Sequence, residues 1–200
     1  DTIKSLCDIV GEKKITMNSN TCWRHKTPTI MRATPQWFIS LDGGLRDLAM
    51  AEIEKVNFHP ETEKKRLKEM VRTRGDWCIS RQRKWGVPIP FFLHKDTGAL
   101  HPDYEHHMKS LISMIAEHGV EVWQTVTNES FGVSNDYVKS SDILEVWFDS
   151  GSSFYHVMNG EVSDVYFEGN DQHRGWFQSS ILLGCAILGH APFKTVITHG

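Results

Sequence analysis

Apolar and polar positions form their clearest pattern near the end of the chain, in residues 164–200. Residues 165–167 are a short aromatic and β-branched run, which is typical of a buried strand. Between residues 172 and 188 apolar side chains recur at helical spacing, and Gly189 stands where a C-terminal glycine belongs. Residues 196–197 predict a second strand. The pattern therefore predicts a β-α-β unit with two parallel strands.

Polar side chains follow both of these predicted strands. Glu168, Asp171 and Gln172 come after the first strand, and His199 comes after the second. Because ligands of open parallel sheets bind outside the carboxyl ends of the strands, we expect these side chains to meet at one ligand-binding rim. The free N–H groups at the start of the helix would favour an anion there. The alternative, which the pattern leaves open, is that Asp171 only caps the helix and Glu168 is a solvated strand end.

A second helical pattern covers residues 61–74. Thr62, after a proline, is a candidate N-cap, and the predicted buried stripe consists of Leu67, Met70 and Val71. Residues 29–40 read as extended structure whose regularity is limited by Pro35.

Residues 91–142 have the pattern of a small inserted subdomain. Thr97-Gly98 suits a hairpin turn, and residues 102–118 predict a helix that ends at Gly119. Its predicted buried stripe is Met108, Leu111, Ile112 and Ile115. Residues 120–123 then predict a strand.

The composition is that of a globular chain without a strong charge bias. Its 200 residues carry a formal charge of −3, so no global basic field indicates a nucleic-acid partner. No run approaches the length of a membrane span, and the polar first residues do not resemble a signal peptide. The four cysteines (Cys7, Cys22, Cys78 and Cys185) lack paired spacing, so we expect reduced thiols and a cytoplasmic location.

Charge is nevertheless concentrated locally, between residues 63 and 85. Nine Lys or Arg residues oppose three Asp or Glu residues there, a local net charge of +6. A solvated helix face is the usual explanation of such a run. The functional alternative is a patch that contacts RNA phosphates, with Trp77 and Trp85 interleaved for stacking or for the core.

Two groups of residues suggest a metal only weakly. Cys22 and His25 have half of the spacing of a zinc site, but no partner pair follows. His101, His106 and His107 lie close in sequence, yet adjacent residues face different directions on a helix, so we expect solvent exposure.

Four blocks of sequence resemble class I aminoacyl-tRNA synthetases, and most closely the isoleucine-specific members of that class. Residues 168–180 resemble the segment that binds the adenylate, with Asn170 where the family usually has serine. The other three blocks, in family order, are residues 22–28 with 32–38, residues 76–90 and residues 147–152. The resemblance implies an α/β fold: part of a Rossmann-like, parallel-sheet nucleotide-binding catalytic domain with a small α+β insertion.

The resemblance also implies a division of the chain into four parts. Residues 1–20 would return from an editing domain, 21–90 would begin the catalytic region, 91–142 would form a connective-peptide insert, and 143–200 would complete the core. We expect an internal fragment of a larger enzyme. Alone it should be inactive, because the family's two ATP-handling motifs would lie outside it.

The implied reaction is the activation of isoleucine with ATP and Mg²⁺, followed by transfer to the isoleucine tRNA, in a full-length protein that is a monomer. Zinc could be held elsewhere in that protein. The alternatives are a valyl- or leucyl-type member of the class, or a non-catalytic nucleic-acid-binding module of the same fold. Pyrophosphate exchange would separate an enzyme from such a module.

The resemblance assigns roles to individual residues, none of them a nucleophile or an acid–base catalyst. The aminoacyl-adenylate would be bound by Glu168, Gly169, Asp171, Gln172, His199 and Gly200. Trp147 and Trp176 would wall the amino-acid pocket, although large aromatics near a sheet are more often core. The candidates for tRNA contact are Arg81, Gln82, Arg83 and Lys84.

Overall fold

The computed structural model describes residues 11, 13–16 and 18–200. Contacts divide the chain into two compact units, residues 1–35 and 36–200. Residues 1–10, 12 and 17 of the predicted return segment lie outside the described residues, and the fourfold division of the chain stays a prediction.

All helices and strands assigned among the described residues lie in the second unit. Its helices are α1 (Leu45–Lys55), α2 (Thr62–Arg72), α3 (Tyr104–His118), α4 (Val122–Thr125), α5 (Val146–Gly151), α6 (Ser153–His156) and α7 (Trp176–Leu188), with 3₁₀ helices at Glu129–Phe131 and Asn170–Arg174. Its strands are β1 (Phe38–Ile39), β2 (Asn57–His59), β3 (Trp77–Cys78), β4 (Ser80–Arg81), β5 (Phe92–His94), β6 (Tyr137–Lys139), β7 (Ile143–Leu144), β8 (Ser163–Gly169) and β9 (Phe193–His199).

A parallel three-stranded sheet in the order β2-β9-β8 forms the centre of this unit. Val196 of β9 pairs with Phe58 of β2 and with Tyr166 of β8, and all three side chains are buried. Helices α1, α2 and α7 contribute to the same core, notably through Ile53, Leu67 and Ile181. The predicted β-α-β unit, β8-α7-β9, is confirmed, and the fold is α/β.

Among the described residues of the second unit, nothing covers the other face of the sheet. Val165 and Phe167 alternate with buried Tyr166 along β8, and Phe167 is 62% exposed. Parallel sheets are normally covered on both faces. The described residues therefore supply one helical layer for this sheet.

One predicted helix start and one predicted cap were wrong. Helix α7 begins at Trp176 rather than near Gln172, because residues 170–174 form a 3₁₀ helix first. It ends as predicted, with Gly189 in the left-handed region at φ 79°. In α2, Thr62 is the first helical residue and makes no capping hydrogen bond. The predicted stripe is largely confirmed, since Leu67 and Val71 are buried.

The insert has a core of its own. Phe92, Leu111, Trp123 and Val133 form a separate buried cluster. Strand β5 pairs antiparallel with β6, a long-range partner that local pattern did not indicate. The predicted hairpin after β5 is present as a bridge between Leu93 and Leu100.

Three predictions for the insert were wrong. Residues 122–125 form helix α4 rather than a strand, which lets the Trp123 side chain reach the insert core and its Nε1 donate to the Ser140 carbonyl at 3.2 Å. Ile112 is exposed although the spacing placed it on the buried stripe. His107 is buried, whereas His106 is exposed.

The described cysteines Cys22, Cys78 and Cys185 are free thiols, and Cys7 lies outside the described part. Burial raises the pKa of Cys185 to about 12. No helix among the residues described is both long and apolar enough to span a membrane.

His107 is a buried titratable side chain in the core of the insert. Its ring packs edge-on against Phe92 and Phe131, and its buried Nδ1 has no hydrogen-bond partner among the described residues. Burial lowers its pKa; nearby His101 and His106 act in the same direction, and Asp103 acts in the opposite one. The folded insert therefore disfavours the protonated imidazole.

We predict that stability is lost as the pH falls below the ordinary histidine value of about 6.5, because the unfolded chain then binds a proton that folded His107 resists. Thermal unfolding at about pH 7.5 and about pH 5.5 should show a larger drop in Tm for the wild type than for His107→Phe. Equal drops in the two proteins would show that His107 is not the group responsible.

Candidate active site

The carboxyl ends of β8 and β9 form one rim, as the sequence predicted. Gly169 pairs with His199 in the register of the two strands. A Cβ built on Gly169 would lie 2.6 Å from Asp171 Oδ1 and 3.9 Å from His199 Cε1. Gly169 therefore leaves the space in which this carboxylate and this imidazole come together. Glu168, Asp171 and His199 are exposed, so the rim is open to a ligand.

Asp171 is not the helix cap that one interpretation of the sequence proposed. The α-helix starts five residues later, and Asp171 makes no capping hydrogen bond. Gln172 has the capping role instead, because its Oε1 accepts a hydrogen bond from the backbone N–H of Trp176 at 3.0 Å. The carboxylate of Asp171 is thus left at the rim.

His173 has a structural role that the sequence did not reveal. Its side chain is completely buried, with Nδ1 2.7 Å from the carbonyl oxygen of Asn170 and Nε2 3.3 Å from Glu63 Oε2. Its ring also lies edge-on to Phe177. These contacts fix the 3₁₀ segment, and hence Asp171 and Gln172, against α2 and α7.

Trp176 is the first residue of α7, and Trp147 of α5 places its ring against the start of α7. The Trp176 ring stacks on Tyr166 at a centroid distance of 4.0 Å and an angle of 10°. Its Nε1 donates to Ser153 Oγ at 3.2 Å. The Trp147 ring lies against Gly175 and is 39% exposed, so it is not a core residue.

Glu145 joins two of the sequence blocks. It is buried, and its carboxylate accepts hydrogen bonds from Trp77 Nε1 and, at 2.6 Å, from Arg81 Nη2. Strand β7 ends at the residue before Glu145 and pairs antiparallel with β4. This carboxylate connects the segment around β3 and β4 to α5, which carries Trp147.

The basic residues between 63 and 85 fall into paired and unpaired groups. On α2 the pairs are Lys64 with Glu61, Arg66 with Glu63, Lys68 with Glu54 and Arg72 with Glu69. Arg81 is bound to Glu145, and Gln82 donates to Asp142 at 3.2 Å. The solvated-face interpretation therefore describes α2 well.

Arg83 and Lys84 differ from the four paired cations of α2. Neither makes an ion pair or a side-chain hydrogen bond with any residue that the structure describes. Both line a cleft of about 780 Å³ beside Trp85, which is 87% exposed. Two free cations next to an exposed aromatic ring are suited to an RNA strand.

The Cys22–His25 pair of the first unit forms a tight loop. Cys22 Sγ lies 3.4 Å from His25 Nδ1, and the pKa of the thiol is lowered by hydrogen bonds from the backbone N–H groups of His25 and Arg24. Within residues 11, 13–16 and 18–200, no three His, Cys, Asp or Glu side chains are grouped to hold a metal ion. The half-site thus gains no further ligand from the described residues.

The chain belongs to the family described as tRNA synthetases class I (I, L, M and V), whose sequence profile matches residues 11–200. This agrees with the parallel sheet and its rim, which are Rossmann-like. The chain is similar to the isoleucine–tRNA ligases of Azoarcus sp. (strain BH72), at 47% identity over 96% of this chain, and of Ectopseudomonas mendocina (strain ymp), at 50% identity over 90% of it. It is also 47% identical, over its full length, to the isoleucine–tRNA ligase of Ruthia magnifica subsp. Calyptogena magnifica. It spans 22%, 21% and 23% of these three relatives, about a fifth of their length.

The contacts of Glu145 predict how strongly it holds this part of the structure. Glu145→Ala should lower the free energy of unfolding by about 2–3 kcal/mol, since it leaves two donors without their acceptor and Arg81 is partly solvated. Glu145→Gln keeps an acceptor for Trp77 and should cost less. Urea unfolding followed by tryptophan fluorescence measures both; equal stability of Glu145→Ala and wild type would contradict the role.

Proposed function

We propose that the full-length protein is an isoleucine–tRNA ligase and that this chain supplies the second half of its catalytic core. The single observation that carries the proposal is the rim. Adjacent parallel strands end in Glu168, Asp171 and His199, and two tryptophans lie beside that rim. The similarity to isoleucine–tRNA ligases supports isoleucine rather than leucine or valine as the substrate.

The proposed reaction has two steps. The carboxylate of isoleucine attacks the α-phosphorus of ATP, and pyrophosphate leaves with the electrons of the broken P–O bond. A ribose hydroxyl of the tRNA then attacks the carbonyl carbon of the adenylate, and AMP leaves. Mg²⁺ would enter with ATP as part of the substrate. Positioning and electrostatics account for such catalysis, so no side chain of this chain need form a covalent bond.

In this proposal the rim holds the aminoacyl-adenylate. Glu168 binds the α-ammonium group as an exposed carboxylate that a neighbouring glycine leaves accessible. Asp171 and Gln172 hold the amino group and the ribose, with the Gln172 oxygen already engaged by Trp176. His199 and Gly200 lie along the nucleotide.

The tryptophans form the apolar wall of the amino-acid pocket. Such a pocket selects by fit, and one methylene group contributes only ~1–3 kcal/mol to selectivity, a limit for which isoleucine–tRNA ligases are a standard example. An editing domain elsewhere in the full-length protein would compensate for that limit. The cytoplasmic location, the monomeric state and any zinc outside this chain remain predictions.

Exchange of isotope between ATP and pyrophosphate tests the function. The full-length protein should exchange pyrophosphate in the presence of isoleucine, whereas a nucleic-acid-binding module of the same fold should not. Residues 1–200 alone should show no exchange.

Glu168→Gln tests the rim. The change keeps the shape and removes the charge, so the charged hydrogen bond to the ammonium group, worth roughly 1.5–3 kcal/mol, is lost. We predict that kcat/KM for isoleucine falls roughly 10- to 100-fold, by the same arithmetic, with Tm near the wild-type value. Asp164→Asn is the matched control, since Asp164 is an exposed carboxylate near the other end of β8 and pairs with Lys194. A loss of Tm in step with activity would instead make Glu168 structural.

Replacing Arg83 and Lys84 together by alanine tests the contact with tRNA. We predict that the full-length variant binds tRNA more weakly than the wild type. The slope of log K against log salt concentration should be less negative by about 1.5, because each lost phosphate contact removes about 0.7–0.9 from the slope. The control replaces Arg66 and Arg72, which are paired on α2, and should leave the slope unchanged. Identical slopes for wild type and the Arg83/Lys84 variant would exclude these two residues.

A further inference from the structure

We propose that Gly175 is a specificity-determining residue of the amino-acid pocket. It leaves the space that sets the position of the Trp147 indole relative to Trp176. The inference rests on the proposed function, since it assigns a selectivity to the pocket of that enzyme. Gly175 would act through the tryptophan and is therefore a positioning residue.

The space at Gly175 is occupied by one end of the Trp147 ring system. A Cβ built on Gly175 would lie 2.7 Å from Cη2 and 2.9 Å from Cζ3 of Trp147, and 2.8 Å from Gln172 Oε1. Distances this short cannot persist, so any side chain at this position would displace the indole.

A second contact fixes the helix that carries Trp147. A Cβ on Gly151, the last residue of α5, would lie 2.8 Å from Cβ of Ser179 in α7. Trp147 and Gly151 are one helical turn apart, and so are Gly175 and Ser179. Helix α5 thus contacts the start of α7 at two positions that are one helical turn apart. The helix that carries Trp147 therefore cannot shift to make room for its ring.

The indole that forms the other wall of the pocket is held by ring contacts of its own. Trp176 stacks on Tyr166 and donates its indole N–H to Ser153, and neither contact involves Gly175. Tyr166 is itself buried. A methyl group at position 175 would therefore move one indole while its counterpart stays in place, and the distance between the two walls would change.

Such a change should reduce discrimination between isoleucine and valine. A pocket fitted to the larger side chain loses contact with its additional methylene when a wall is displaced, and valine, which lacks that methylene, is affected less. The nucleotide side of the rim should be less affected, because His199 and Gly200 lie at the end of β9 and are not among the contacts of the built Cβ. Gln172, whose Oε1 would lie 2.8 Å from that Cβ, is the one rim residue that must shift with the indole.

The experiment measures pyrophosphate exchange by the full-length enzyme with isoleucine and with valine. In Gly175→Ala, the ratio of kcat/KM for isoleucine to that for valine should fall about tenfold. The fall should come mainly from KM for isoleucine, with a smaller change in KM for ATP. The double variant Gly175→Ala/Trp147→Phe lacks the indole atoms Cη2 and Cζ3. Its KM for isoleucine should be lower than that of Gly175→Ala and closer to the wild-type value.

Gly184→Ala provides the matched control on the same helix. A Cβ there would lie 2.5 Å from Cδ of Pro192, so this variant should lose stability while keeping the wild-type selectivity. Trp147→Phe alone needs no new space and should also lower the ratio of kcat/KM for isoleucine to that for valine. This second variant keeps the test valid if Gly175→Ala does not fold.

An unchanged ratio in Gly175→Ala or Trp147→Phe, or an equal fall in Gly184→Ala, would overturn the assignment. A wild-type enzyme without isoleucine-dependent exchange would instead overturn the proposed function, and the assignment with it.

Discussion

The parallel pairing of β8 with β9 is the constraint on which the rest of the site depends. Parallel neighbours cannot be joined by a tight turn, so the chain must cross over, and α7 makes that crossing over the buried face of the sheet. The register then brings Gly169 beside His199. Every polar group of the rim follows from this pairing, because each lies within a few residues of one of the two strand ends.

Small residues allow the surrounding elements to approach this unit. Gly169 admits the Asp171 carboxylate, Gly175 admits Trp147, and Gly151 admits Ser179. Larger groups then fix the elements in place: buried His173 holds the 3₁₀ segment, and buried Glu145 holds α5 to β4. The exposed residues of the rim are therefore supported by two buried polar side chains: His173, whose Nδ1 contacts the Asn170 carbonyl, and Glu145, whose carboxylate accepts from Trp77 and Arg81.

Local pattern was sufficient for the β-α-β unit, for the end of α7 at Gly189 and for the rim itself. These features follow from periodicity and from glycine chemistry. It was not sufficient where contacts between residues distant in sequence determine the local secondary structure. Trp123 lies in a helix because it packs in the insert core, and the 3₁₀ helix before α7 depends on the contacts of His173 with neighbouring elements. The charge run of α2 suggested RNA, yet its carboxylate partners include Glu54 on a different helix. Spacing alone could not distinguish those cations from Arg83 and Lys84.

The open face of the sheet has a consequence for the dielectric environment of the rim. Phe167 projects from that face directly before Glu168, and both residues are exposed, so water reaches the end of β8 from the open face. Any layer that covered Phe167 would exclude water from around the end of β8 and lower the effective dielectric constant there. An ionic contact made by Glu168 would then be stronger than at the solvated rim, since Coulomb energies scale inversely with that constant.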